Sequence, residues 1–245
     1  MNKKNRPSPI ITPSGFIKEL ICAAKTLVQP YLVAIYDLNN GMAVQIGTAF
    51  LVKWKCAPVL ITAKHVLFGH DFKENPGEKF LFVNGRLKQI SCCNTSDVFK
   101  IEEHDLCAIQ VNDFSIDQCF NFPVLQTQIS TTDQLSVLGY LARDFRRNAR
   151  EETLRPSPFL YTNSYFDCKA GYVGITYNSR STSTHSNGKV RPPIPRGLSG
   201  GPIFRAHKLL LNQVEIVGVF TEERISEGYV FGEEVQKVIE LLKAI

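Results

Sequence analysis

From Tyr31 onward the chain alternates short apolar runs with Asn, Gly and Pro. The runs at Tyr31–Tyr36, Ala43–Trp54, Pro58–Thr62, Lys79–Val83, Leu106–Val111 and Leu135–Leu141 are rich in β-branched and aromatic residues and predict strands. The same texture continues at Phe159–Phe166, Gly171–Tyr177, Gly201–Phe204, Val214–Phe220 and Gly228–Phe231. Asn39-Asn40-Gly41 and Asn84-Gly85 have the chemistry of hairpin turns. Two stretches follow the other period. Ser14 can cap a helix in which Phe16, Leu20, Ala23, Ala24, Leu27 and Val28 recur at helical spacing up to Pro30, an amphipathic element expected to pack on the body. Glu233–Ala244 carries Val235, Val238, Ile239 and Leu242 on one face and predicts a closing helix. Helices do not alternate with strands, so a parallel α/β sheet is disfavoured and packed barrels or a sandwich are expected.

The composition changes this picture little. The 245 residues are 44% hydrophobic, enough for one large domain or two small lobes, and the net charge of +5 selects no partner class. The Pro-rich start, with Pro7, Pro9 and Pro13, does not read as a secretory leader, and no run of eighteen apolar residues predicts a membrane span. Seven cysteines, Cys22, Cys56, Cys92, Cys93, Cys107, Cys119 and Cys168, form no C-x-x-C pair, which leaves a metal site without support. Their odd number and apolar settings predict free thiols and a reducing, cytoplasmic compartment. Arg143–Pro158 and Asn178–Pro195 read as long loops. The first holds five arginines partly offset by acids. It lacks the broad basic face and stacking aromatics that nucleic-acid binding needs, so a solvated loop is expected.

The strongest local chemistry is Gly197-Leu198-Ser199-Gly200-Gly201-Pro202. A nucleophilic serine needs a tight turn with its hydroxyl exposed, and the flanking glycines permit both the turn and close substrate approach. The N–H groups of Gly197 and Ser199 can then point at a developing oxyanion. The same residues fit the G-x-S-x-G elbow of α/β-hydrolases. That fold requires an acid and then a histidine downstream, whereas here only His207 follows and no Asp does. For a base, His65 stands at the end of the apolar run Val59-Leu60-Ile61-Thr62-Ala63, where a small-residue turn would present its ring. Asp105 opens Leu106–Val111 and can accept from the imidazole Nδ1–H.

Thr62-Ala63-Lys64-His65, Asp105-Leu106-Cys107-Ala108-Ile109 and Gly197–Pro202 together resemble the three catalytic boxes of trypsin-like serine peptidases. They occur in the family's order, separated by 40 residues (105 − 65) and 94 residues (199 − 105). The resemblance spans about residues 31–245 and is closest to HtrA-like and other bacterial trypsin-like peptidases lacking a PDZ domain. It implies an all-β fold of two packed antiparallel chymotrypsin-like β-barrels with an N-terminal and a C-terminal helix. The implied division is a tail and helix over 1–30, a first barrel over about 31–120, a second over about 121–232, and the last helix over 233–244. His65, Asp105 and Ser199 would form the triad, with Gly197 and Ser199 as the oxyanion hole. Ile194, Thr221, Glu222, Glu223, Gly228 and Val230 would wall the substrate pocket. No cofactor or metal is implied. Protein or peptide substrates are, and the two long loops suggest control by loop ordering or by an activating protein partner. Three departures stand out. Val66 replaces the cysteine that secreted members carry after the histidine. Leu198 replaces the Asp of the zymogen switch. Pro193 stands where trypsin-type pockets hold a basal Asp, which leaves Glu222 and Glu223 either as acidic recognition groups or as solvated rim charges, with a preference for small or apolar side chains equally open.

Two other readings compete with a peptidase. One is a protease-shaped binding module without turnover. The other is a nucleic-acid-binding adaptor using the arginine loop, which would show salt-dependent retention on DNA or RNA.

Overall fold

The computed structural model describes residues 14–39, 42–70, 79–83, 86–90, 98–100, 102–111, 114–121, 125, 128–142, 156, 158–166, 171–177, 183–185, 188–190, 195–224 and 226–245. The first lobe is an eight-stranded sheet. It comprises β1 (Leu32–Asn39), β2 (Met42–Trp54), β3 (Ala57–Thr62), β4 (Lys79–Val83), β5 (Arg86–Gln89), β6 (Val98–Lys100), β7 (Cys107–Gln110) and the short β8 (Phe120–Asn121). Its order is β5-β4-β1-β2-β3-β7-β6, antiparallel throughout, with β8 pairing in parallel with β2. The second lobe is a closed antiparallel barrel. Its strands are β9 (Gln134–Tyr140), β10 (Pro158–Phe166), β11 (Tyr172–Thr176), β14 (Pro202–Arg205), β15 (Ile216–Arg224) and β16 (Tyr229–Glu234), in the order β10-β11-β16-β15-β14-β9. The fold is therefore mostly β, in two chymotrypsin-like lobes, with helices at both ends.

The first lobe explains its own sequence texture. Successive side chains of a strand point to opposite faces. Val33 and Ile35 of β1, Ala49 and Leu51 of β2, and Leu60 of β3 enter the lobe's interior. The alternate residues Ala34, Tyr36, Phe50, Val52, Val59 and Ile61 enter a second core shared with the other lobe and the helices. Both faces are buried, so the strands are apolar almost without interruption. The second barrel has its own interior, built from Val137, Val173, Ile175, Ile203, Val217 and Phe220 among others.

Helix α1 (Ser14–Leu27) buries Leu20 and Ala24 with the following Val28, one residue per turn of a single face, against the shared core, so the N-terminal helix packs on the body. A 3-10 turn at Gln29–Tyr31 carries Pro30 near its start, where a missing N–H is harmless. Short helices α2 (Lys64–Phe68) and α3 (Ala206–Leu210) interrupt the strands, and α4 (Val235–Lys243) closes the chain with Val235, Val238, Leu241 and Leu242 buried. The last helix thus begins at Val235. Glu233 and Glu234 belong to β16, whose pairing with β11 runs through Tyr172↔Glu233.

The turns expected at 40–41 and 84–85 lie outside the described residues, and the strands on either side pair as hairpins, Asn39 with Met42 and Val83 with Arg86. The arginine-rich stretch 143–155 also lies outside them. Within 178–195, expected to be a loop, β12 (Ser183–His185) and β13 (Gly188–Val190) pair as a small antiparallel hairpin. Among the described residues no helix is long and apolar enough to cross a membrane.

Candidate active site

The first lobe supplies a histidine and its acid. Strand β3 ends at Thr62, Ala63 stays extended, and α2 begins at Lys64, so His65 is presented by the first turn of a short helix rather than by an irregular turn. The Val66 N–H donates to the Ala63 carbonyl and the Gly69 N–H to the His65 carbonyl, with Gly69 ending the helix at a positive φ of 75°. Asp105 grips this helix at three points. Its carbonyl accepts from the Lys64 N–H at 3.2 Å, and its Oδ1 accepts from the His65 N–H at 2.8 Å. Its Oδ2 lies 2.6 Å from His65 Nδ1. An ionised carboxylate only accepts, so the proton of this bond sits on Nδ1 and Nε2 is left for other chemistry. The His70 ring stacks on His65 with centroids 4.8 Å apart.

The second lobe supplies the serine. The 195–201 segment is folded by the Leu198 N–H donating to Pro195 at 3.1 Å and the Gly201 N–H donating to Leu198 at 2.7 Å. Gly197 has φ +90°, the value a type II turn requires at its third residue. The Arg196 carbonyl accepts from the Ala142 N–H at 3.0 Å. Because the peptide is planar and trans, the Gly197 N–H points away from Ala142. Neither the Gly197 nor the Ser199 N–H donates to a backbone acceptor among the described residues. Leu198 is fully buried in the barrel core against Gly139, so an apolar anchor holds the turn where an ion pair would serve an activation switch.

The two halves meet through strand β2. The Thr48 N–H donates to the Ser199 carbonyl at 2.8 Å. The Thr48 hydroxyl accepts from the Tyr140 N–H at 2.9 Å and donates to the Gly197 carbonyl at 2.7 Å. Gln45 Nε2 donates to the Tyr140 carbonyl at 2.5 Å, and the Thr62 hydroxyl donates to the Thr48 carbonyl at 2.7 Å. Gly200 is seated so tightly that a Cβ there would lie 2.0 Å from the Thr48 carbonyl oxygen and 2.2 Å from Thr62 Oγ1. The serine turn is thereby pressed against the residues that lead into α2. His65 and Asp105 are joined directly, whereas no hydrogen bond joins the Ser199 hydroxyl to His65 among the described residues.

The expected pocket residues separate into classes. Thr221 and Val230 are buried, and the Gly228 carbonyl accepts from the Tyr177 N–H at 2.8 Å. Glu222 is exposed and paired with Arg224, Nε to Oε1 at 2.9 Å. Glu223 is half-buried, and its Oε2 is out of solvent with no hydrogen-bond partner among the described residues. Burial pushes the Glu223 carboxyl above its ordinary range, against the opposing pull of Arg196. Ile194 lies outside the described residues. No group of three or more metal-ligating side chains is gathered among the described residues.

Sequence reasoning missed Thr48, Gln45 and Glu233. Thr48 lies in a recognisable strand, but its hydroxyl acts across 92 residues to Tyr140 and 149 to Gly197. Glu233 was assigned to the last helix, where it would be one more surface acid. In the structure the residue is 1% exposed, with Oε1 accepting from the Asp105 N–H at 3.1 Å and Oε2 2.8 Å from His104 Nδ1. Burial raises its pKa, while these hydrogen bonds pull the other way.

No family model matches the chain, and no curated protein matches its sequence. Solved structures do match. A serine endoprotease from Yersinia pestis superposes with a TM-score of 0.57 at 14% identity, covering 95% of this chain and 67% of that one. Rv3671c from M. tuberculosis, in an inactive form, gives a TM-score of 0.56 at 15% identity, covering 98% and 96%. A mutant tobacco etch virus protease gives 0.54 at 14% identity, covering 87% and 77%. The chain therefore has the chymotrypsin-like double-barrel fold that these proteases share.

Proposed function

We propose that this chain is a serine endopeptidase that hydrolyses peptide bonds through His65, Asp105 and Ser199. One observation carries the reading: Asp105 holds both the main chain and the ring of His65, fixing the tautomer in which Nε2 can accept a proton. Ser199 Oγ attacks the scissile carbonyl as Nε2 takes its proton. The imidazolium, steadied by Asp105, then protonates the leaving amine, and water releases the acyl-enzyme by the reverse proton path. The Gly197 and Ser199 N–H groups, uncommitted to the backbone, are the donors for the tetrahedral oxyanion. Catalytic hydrogen bonds are often long or poorly aligned before substrate binds and tighten only in the Michaelis complex, so a Ser199–His65 bond is expected to form with substrate.

The half-buried Glu223 supports a basic side chain at the primary subsite. The unpaired Cys22, Cys56, Cys107 and Cys119 fit a reducing, cytoplasmic setting. The three-box spacing supports kinship with HtrA-like peptidases. Without a zymogen ion pair at Leu198, restraint would come from a narrow substrate choice or from a protein partner acting on the long loops. A second reading, a catalytically silent binding module, is favoured by the missing hydrogen bond between Ser199 and His65. Hydrolysis of a peptide library decides between them. The peptidase reading expects cleavage that falls roughly 10⁴-fold in kcat with Ser199→Ala. Near-normal cleavage by that variant, or none by the wild type, contradicts it.

A further inference from the structure

The geometry points to Glu233 as a positioning residue that ties the catalytic acid Asp105 to the barrel carrying Ser199. This rests on the peptidase reading above. Residues 65 and 105 sit in the first lobe and Ser199 in the second, so the proton line from acid to nucleophile passes between two lobes that each have an interior of their own besides the core they share. On the first-lobe side, Asp105 is secured by α2 through the Lys64 and His65 N–H groups and His65 Nδ1. These bonds fix the acid against the base but not against the serine. The remaining polar group of Asp105, its own N–H, donates across the cleft to Glu233 Oε1 at 3.1 Å.

Glu233 is well held for this task. It lies in β16, paired with Tyr172 on one side and Val219 on the other, two residues short of α4. Its second oxygen lies 2.8 Å from the ring of His104, the residue preceding Asp105. The His104 ring is backed by Gly171, where a Cβ would stand 3.9 Å from its Cε1, and by Tyr172, at 6.5 Å between centroids. One carboxylate therefore engages two consecutive first-lobe residues, and both of its oxygens are used. Thr48 makes the corresponding connection at the serine turn. Together they fix both ends of the triad to both lobes. Misplacement of a catalytic group by about 1 Å can cost 10²-fold in rate, so loss of the Glu233 tie is read in turnover more than in binding.

A double-mutant cycle tests this, read as the rate of Ser199 labelling by a fluorophosphonate probe. Glu233→Met fills the space without an acceptor, and Glu233→Gln keeps an acceptor for the Asp105 N–H. Each is made alone and combined with Asp105→Asn. Positioning through Asp105 predicts that Glu233→Met slows labelling about tenfold or more in the wild-type background and less than about twofold beside Asp105→Asn. Glu233→Gln should stay within about threefold of wild type. Equal losses in both backgrounds, or no loss with Glu233→Met, overturn the proposal. Should Glu233→Met fail to fold, His104→Leu takes its place in the cycle, with a loss of about threefold or more expected only where Asp105 is intact and equal loss in both backgrounds overturning it. If the wild type shows no labelling that Ser199→Ala abolishes, the peptidase reading itself has failed, an outcome distinct from any result within the cycle.

Discussion

The Thr48 N–H donates to the Ser199 carbonyl at 2.8 Å, so a first-lobe strand holds the main chain of the residue that the second lobe presents. The hydroxyl of the same threonine bridges Tyr140 and Gly197. Thr48→Val keeps the main-chain bond and the side-chain volume but takes the hydroxyl acceptor from the buried Tyr140 N–H and leaves the Gly197 carbonyl only the 3.4 Å bond from Gln45 Nε2. The expected loss is about 1–3 kcal/mol of stability. Because the Gly197 turn is freed as well, kcat should fall by about tenfold with KM little changed. Chemical denaturation and steady-state kinetics check this, and unchanged kcat would show that the bridge is structural only.

Gly200 offers a sharper test of the same packing. Its φ is +88°, and an added Cβ would overlap the Thr48 carbonyl oxygen and the Thr62 hydroxyl. Both contacts involve groups already committed to hydrogen bonds, so neither can move aside cheaply. Gly200→Ala should abolish probe labelling of Ser199 while leaving the circular dichroism of the barrels intact. Labelling at the wild-type rate would mean that the turn is looser than its contacts indicate.

Glu223 makes two linked predictions. Its folded carboxyl is raised by burial above the ordinary value of 4.5, so the native state keeps this proton to higher pH than the unfolded chain does. The unfolded state then binds fewer protons through the window just above 4.5, and the group's contribution to stability declines as pH rises through it. Glu223→Gln, which does not titrate, should therefore gain stability relative to wild type between about pH 4 and pH 7. Denaturation at the two pH values measures the gap, and a constant gap contradicts the burial argument. The same variant should lose about tenfold of its preference for Lys or Arg over neutral residues on the acyl side of the cleaved bond. An unchanged preference would return Glu223 to the status of a rim charge.

Much of the architecture was legible because the strands are buried on both faces or close a barrel, and their apolar, β-branched runs are bounded by turn residues. The β2–β3 hairpin shows the limit. Its turn places Lys55 and Cys56 at φ 44° and 64°, positions where Asn and Gly would be the legible choice. Strands β5, β6 and β8 were missed because each is four residues or fewer and carries too little periodicity to register. Helix α2 was hidden for a different reason, since five residues held by the tertiary bond from Lys64 to Asp105 need no helical pattern of their own. In the site, His65 and Asp105 could be read from local boxes. Glu233 could not, because what distinguishes it from any acid near a helix start is a cleft contact 128 residues distant in sequence.

Every step of the proposed reaction depends on Ser199 being a nucleophile activated by His65. Mass spectrometry after exposure to a fluorophosphonate reads that activation at the residue itself. A single phosphonyl adduct on Ser199 is expected in the wild type, absent in Ser199→Ala and abolished in His65→Ala. An unmodified Ser199 in the folded wild type, or an adduct that forms as readily without the imidazole, would contradict it.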